Sequence, residues 1–312
     1  MLQLISFIKE ILTDEKQRVA ALSICSNLVL IILKLTAGII TNSVSIISEA
    51  IHSGLDLIAA FIAFFAVKVS SRPPDSRHRY GHGKFENLSG AIEAILIFIA
   101  AIWIVIEAYQ KIVYGSRVEM IGVGIGVMVI ASIANWIISG ILMRTAKKTD
   151  SVALEADGLH LRTDVYTSVG VILGLAILSV TGIQILDPLI AIVVALLITK
   201  AAYELTVKAM IPLLDASLPI EEEATIENVL QEIDTSDMIG FHKLRTRKAG
   251  SERYVDMHLV VRPHLTIAEV HNLCDRIEQK IADHLPNAHV LVHPEPCQKD
   301  ECHKCKIGCY RT

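Results

Sequence analysis

The chain has 312 residues, of which 52% are hydrophobic and 20% charged, and its mean hydropathy is +0.50. Soluble domains hold about 45–50% apolar and about 25% charged residues, so this composition calls for an apolar solvent and describes a membrane protein. With 29 basic and 33 acidic residues the formal charge is −4, which lacks the basic footprint of a nucleic-acid-binding chain; no nucleic-acid partner is expected.

The opening stretch, MLQLISFIKEILTDEKQR, carries acids and has no basic start, long apolar run or small-residue cleavage site, so it does not read as a secretory signal. Six mostly apolar stretches follow, each near the ~20 residues that cross a bilayer as helix. They predict spans over residues 18–41, 43–68, 86–112, 118–142, 151–181 and 185–210, within a transmembrane part ending at 214. In the third, Ala94 to Ile106 (AILIFIAAIWIVI) is unbroken by any polar group, with Trp103 and Tyr109 toward one end. The first carries Lys34, a residue able to snorkel or pair with an acid. The second and fifth carry several ionisable groups, while Glu93, Glu107 and Asp187 read better as interhelical or interfacial groups.

Basic residues concentrate in the second connection (Lys68, Arg72, Arg77, Arg79, Lys84) and the fourth (Arg144, Lys147, Lys148), and the first and fifth have none. Short cytoplasmic loops retain Lys and Arg, so both termini are expected in the cytoplasm.

From residue 215 to 296 the pattern is that of a soluble domain. ASLPIEEEATIENVLQEID predicts a helix with acids in its first turn, and Ile226, Val229, Leu230 and Ile233 on one face. MIGFHKLRTRKAG and RYVDMHLVVRP predict two strands around a turn at Gly250, TIAEVHNLCDRIEQKIADHLP a helix with a capping box at Thr266, and NAHVLVHPEP a third strand. That order gives a small α+β layer with helices on one face of a sheet. A Cys-rich tail occupies 297–312.

The ionisable residues of the second and fifth spans are patterned. His52 precedes Asp56, and His160 precedes Asp164, each by four residues; an acid stands three before each His (Glu49, Asp157). Residues at i and i+4 share a helix face, so two such helices facing one another supply two nitrogens and two oxygens, a tetrahedral set of the kind zinc accepts. An ionised side chain at membrane depth costs about 2.5–3.5 kcal/mol on insertion scales, which disfavours a purely structural role. The equal nitrogen and oxygen count favours zinc over manganese or magnesium and leaves cobalt, iron(II) and cadmium open.

The second connection, PPDSRHRYGHGKFENL, offers Asp75, His78 and His82, whose spacing fits either a metal site or a solvated loop. His242, His258, His271 and His293 are dispersed over strands and a helix and singly read as surface histidines. In the tail, Cys302 and Cys305 form C-x-x-C between Cys297 and Cys309, a pattern for thiolate coordination of zinc or a softer metal, or a thiol-bearing end.

Six spans, the paired HxxxD motifs, the loop RPPDSRHRYGHGKFENL, the DPL at Asp187 to Leu189, and FHKLRTRKAG leading to HPEP together resemble the cation diffusion facilitator family, most nearly its zinc/proton antiporters, over roughly Arg18 to Pro296. The resemblance implies a six-helix transmembrane domain and a ferredoxin-like, metallochaperone-like cytoplasmic domain that dimerises. It implies a transport site at His52, Asp56, His160 and Asp164, a loop site at Asp75, His78 and His82, and a binuclear cytoplasmic site holding His242, His258, His271 and His293. Glu295 stands where family members commonly carry the bridging Asp. Lys84 and Asp215 resemble a charge pair at the cytoplasmic membrane edge, where dimer halves meet.

The expected protein is thus a homodimeric Zn²⁺/H⁺ antiporter in lipid, exporting zinc across a prokaryotic inner membrane against protons, with Zn²⁺ both transported and regulatory. Transport of Fe²⁺, Co²⁺, Cd²⁺ or Mn²⁺, and a metal sensor without transport, are the alternatives. A membrane metalloenzyme is disfavoured by the lack of HExxH and of an open ligand position.

Overall fold

The computed structural model describes residues 14–41, 44–114, 122–181, 185–233 and 237–297; inside its helices, the side chains of His52 and Asp187 are among those outside the described set. The chain divides into two compact units, Met1–Met210 and Ile211–Thr312.

The first unit is helical: α1 (Glu15–Thr41), α2 (Val44–Ser70), α3 (Lys84–Tyr114), α4 (Gly122–Thr149), α5 (Val152–Thr181) and α6 (Leu186–Met210). At 1.5 Å per residue even α6 is about 37 Å long, more than the ~30 Å hydrocarbon core. Four of the described helices are long and apolar enough to cross a membrane by length and composition, over Glu15–Ala37, Lys84–Gln110, Gly126–Thr149 and Pro188–Leu214. The other two, α2 and α5, are the pair that carries the HxxxD motifs.

The outward surface matches this reading. On α3, Ile95, Ile99, Ile102 and Ile106 are exposed while Glu86, Ser89 and Glu93 are buried. This inverts the pattern of a water-soluble helix, and it is stable only where the outside is apolar. Inside, small residues let the helices approach: Ala94, Ala101, Ala156 and Ala202 pack with Ile97, Ile198 and Leu205 between α3, α5 and α6. Gly90 serves the same end, since a Cβ there would stand 2.8 Å from Val152 Cγ1 and 3.3 Å from Ala209 Cβ.

One end of this unit is tied by a buried carboxylate. Glu86 accepts from Lys16 Nζ (3.1 Å), Ser70 Oγ (2.9 Å) and Ser151 Oγ (2.5 Å), joining α3 to α1, to α2 and to the start of α5. Lys34, buried on α1, donates to Ser53 Oγ at 2.7 Å.

The second unit begins with a 3-10 turn (Ile211–Leu214), then α7 (Ile220–Glu232), β1 (Met238–Ala249), β2 (Glu252–Val261), α8 (Ile267–His284) and β3 (Ala288–Pro296). The sheet order is β1-β2-β3, β1 and β2 antiparallel and β2 and β3 parallel, with α8 as the crossover a parallel pair requires. Gly250 takes the left-handed conformation (φ 61°) in the β1–β2 turn. Thr266 and Glu269 form the capping box reciprocally, each satisfying a backbone N–H of the other. The core joins Ile226, Val229 and Leu230 of α7 and Leu273, Ile277 and Ile281 of α8 to Val255, Met257, Leu259 and Val261 of β2.

Alternation does the rest: the odd-numbered residues of β2 are buried under the helices, so His258 and its even-numbered neighbours stand on the opposite face. Arg253 is the exception on the inner side; it is held by Glu222 through Nε (2.7 Å) and Nη2 (2.9 Å), a two-point ion pair.

Candidate metal centres

Three groups of described residues offer ligand atoms that all lie within 4.8 Å of one another: Asp56, His160 and Asp164; Asp75, His78 and His82; and His242, His258 and Glu295.

The first lies inside the helical unit. His160 Nε2 is 3.2 Å from Asp56 Oδ1, and both residues are buried. Asp56 comes from α2 and His160 from α5, and Asp164 follows His160 by one turn on the same face of α5. His52 precedes Asp56 by one turn on α2, but its side chain is outside the described set. Among the described residues His160 Nδ1 has no hydrogen-bond partner although it is buried. A buried imidazole without a second partner, beside two carboxylates, is a donor set suited to one divalent cation with nitrogen and oxygen ligands.

The second group is a loop between α2 and α3. Asp75 Oδ1 accepts from the backbone N–H of Arg77 (2.8 Å) and of His78 (2.7 Å), and these bonds first, then the two imidazoles, hold its carboxyl below the ordinary carboxylate range. His78 Nδ1 and His82 Nε2 each lie 3.4 Å from this carboxylate, with ring centroids 4.5 Å apart. Gly81 at φ 79° turns the chain between the two histidines. His82 is buried against Phe85, while Asp75 and His78 are exposed. Three side chains thus give one anchored and one accessible imidazole on a pre-set carboxylate.

The third group is built by strand register. His242 stands opposite His258, and His258 opposite His293, so three imidazoles form a row across the sheet on the face away from the helices. Glu295, two residues beyond His293, reaches back between them: Oε2 is 2.9 Å from His242 Nε2, Oε1 is 2.6 Å from His258 Nδ1, and Oε1 is 3.8 Å from His293 Nε2. The hydrogen bonds from His258 first and then His242 pull the Glu295 carboxyl down to about 2. A β-bulge sits at the centre of β1: two residues lie between His242 and Arg245 where β2 has one between their partners, and Lys243 adopts φ 52°.

Of the remaining expected residues, His271 lies on α8, paired with Asp275 at 3.4 Å and apart from the histidine row. Cys297 is buried just beyond β3, its backbone N–H donating to Val261 O at 3.0 Å. Cys302, Cys305 and Cys309 lie outside the described residues. Asp215 is 3.4 Å from Arg247 of its own unit. Glu86, Ser89 and Glu93 follow an i, i+3, i+7 stripe along α3, the sequence signal of a polar interior face.

Comparison with known proteins agrees over nearly the whole chain. Residues 20–214 match the family profile of the cation efflux transmembrane domain, and residues 218–297 that of the cation efflux protein cytoplasmic domain. An uncharacterised transporter of Synechocystis sp. is 36% identical over 279 residues, 89% of this chain and 90% of that protein. The cation-efflux pump FieF of Yersinia enterocolitica is 32% identical over 268 residues, 86% of this chain and 88% of that protein. A solved chain of CzrB, a proposed zinc transporter, is 36% identical over 26% of this chain and 100% of its own, with a TM-score of 0.26.

Proposed function

Because the chain belongs to the cation efflux, or cation diffusion facilitator, family of transporters, we propose that it moves a divalent metal, foremost Zn²⁺, out of the cytoplasm in exchange for protons. One observation carries this reading: Asp56 and His160, from different helices, meet at 3.2 Å inside the helical unit with Asp164 alongside.

The chemistry follows from the donor set. Metal binding needs neutral imidazole and ionised carboxylate, so the same side chains hold either the cation or protons. Arrival of protons on Asp56, Asp164 and His160 weakens the grip on the metal, and departure of those protons restores it. Two carboxylates beside two imidazoles match the charge and softness of zinc; an oxygen-only set would favour manganese or magnesium.

The remaining assignments belong to the same proposal. The basic loops support cytoplasmic termini, and the bacterial relatives support an inner (cell) membrane. The cytoplasmic unit dimerises and binds regulatory zinc through His242, His258, His293 and Glu295, and the Asp75, His78 and His82 loop binds metal at the membrane edge. The name of the Yersinia relative, a cation-efflux pump, supports the direction of transport.

The test is flux. Full-length protein in proteoliposomes is expected to carry Zn²⁺ with opposite movement of protons, faster than Co²⁺, Cd²⁺, Fe²⁺ or Mn²⁺. Metal binding without flux of any of these ions would make the protein a sensor instead.

A further inference from the structure

Between the Glu86 tie and the transport group, the helical unit buries two more carboxylates. Glu93 on α3 and Asp157 on α5 are 0% and 1% exposed. Among the described residues Glu93 Oε1 receives one long hydrogen bond, from Ser89 Oγ (3.5 Å), and its Oε2 has no donor. Among the described residues no donor stands in hydrogen-bonding geometry to either oxygen of Asp157, and the polar side chain that acts on it is the fully buried Ser23 hydroxyl of α1. Their helices pack on one another, and the residues beside them in sequence, Ala94 and Ala156, belong to one buried cluster.

Sequence spacing aligns these groups into a path. Asp157, His160 and Asp164 follow one stripe of α5, at i, i+3 and i+7, and Glu86, Ser89 and Glu93 repeat that spacing on α3. Along α5, Asp157 lies about 4.5 Å from His160 and about 9 Å from Ser151, which bonds Glu86. The charge of Asp157 acts on Glu93, and that of His160 acts on both. Neighbouring carboxylates with unmet acceptors are costly in a low-dielectric interior, and a divalent cation between them removes both the repulsion and the unmet acceptors.

We propose that Glu93 and Asp157, with the Ser23 hydroxyl, form an all-oxygen divalent-cation site that receives the metal from the Glu86 end before it passes to Asp56, His160 and Asp164. The inference rests on the transport reading. Carboxylate and hydroxyl oxygens hold a partly hydrated cation loosely, which is what a receiving site requires. The neighbouring imidazole then offers a tighter nitrogen ligand one turn further on.

Two measurements on the full-length protein test this. In proteoliposomes, E93Q and D157N are expected to raise the KM for zinc about tenfold each, through loss of a nearby charge, and to leave the saturated rate within about twofold of wild type. The charge-retaining E93D and D157E should recover most of that loss. A fall in the saturated rate with KM unchanged would overturn the proposal in favour of a structural role. A shift in the pH profile with KM unchanged would overturn it in favour of a proton carrier.

The second measurement is pulsed electron paramagnetic resonance of bound Mn²⁺. Wild type should show a population with no nitrogen coupling, and the E93Q/D157N variant should lose it; retention of that population overturns the site. If the double variant does not elute as the wild-type assembly, E93Q alone serves, since the amide oxygen keeps the bond from Ser89. Absence of flux of every divalent metal in wild type would sink the transport reading, whereas normal wild-type flux with unaltered variants would sink this inference alone.

Discussion

Glu295 Oε1 lies 2.6 Å from His258 Nδ1 although the two are not strand partners; Glu295 is in register with Val260 and reaches along the sheet to the imidazole. That reach makes one carboxylate common to His242 and His258, so the histidine row and its acid act as one unit. Glu295→Gln in the fragment from residue 211, which has its own core, is expected to lose most of the zinc-induced stabilisation. For wild type, that stabilisation is about 2.7 kcal/mol at a hundredfold excess of metal over Kd. Thermal unfolding with and without zinc checks it; an undiminished rise in Tm for the variant would remove Glu295 from the ligand set.

The same carboxylate gives a pH dependence without metal. Its folded-state value, about 2, is depressed below the ordinary 4.5 by hydrogen bonds from His258 and His242. A depressed acid contributes stability that is fully present above its unfolded value and is lost as pH falls through the folded one. The difference in urea midpoint between wild type and Glu295→Gln, measured in chelator, should therefore shrink between pH 4.5 and pH 2. A constant difference across that window would show that the two imidazoles do not hold the carboxylate.

Asp56→Ala and Asp164→Ala are each expected to abolish zinc flux while leaving a folded dimer, because each removes one ligand and one negative charge from the transport group. His52→Asp should shift preference from zinc toward cadmium or manganese by exchanging a nitrogen donor for oxygen. Flux across a panel of metals decides both; wild-type rates in either Ala variant would displace the site.

Gly90→Ala places a methyl group 2.8 Å from Val152 Cγ1 and 3.3 Å from Ala209 Cβ, forcing α3 away from α5 and α6. Overpacking of this kind costs about 1–3 kcal/mol. A lower thermal midpoint in detergent is expected, and an unchanged midpoint would mean that the three helices yield at no cost.

Much of this molecule is legible in its sequence because the bilayer leaves few choices. Apolar runs with a polar pair inside them announce α2 and α5 as surely as unbroken runs announce α3, and capping chemistry at Thr266 announces α8. What the sequence withholds is lateral position. Their spacing leaves His242 and His258 as separate surface histidines, which only the family resemblance gathers into a site; strand register brings them to Glu295, whereas His271, of the same residue type and domain, lies on α8 apart from that row. Glu93 reads as an interfacial or interhelical acid, since nothing local distinguishes a carboxylate on the lipid side from one facing α5. Cys297 reads with the tail thiols, yet it is buried, with its backbone N–H bonded to Val261 O just beyond β3.

The bulge at Lys243 has a bearing on how this protein tolerates change. Beyond it, Arg247 pairs with Tyr254 and Arg245 with Asp256 on the outward face, so odd positions of β1 point out there, while before it the even-numbered His242 does. The extra residue is a parity switch. Its left-handed backbone restricts what can stand at 243: Gly, Asn or Asp fit that conformation readily, whereas a β-branched residue would be strained there. Loss of one residue between 242 and 245 would turn either His242 or the two arginines into the core, a frame error within a strand, and no later substitution at a single position could repair it.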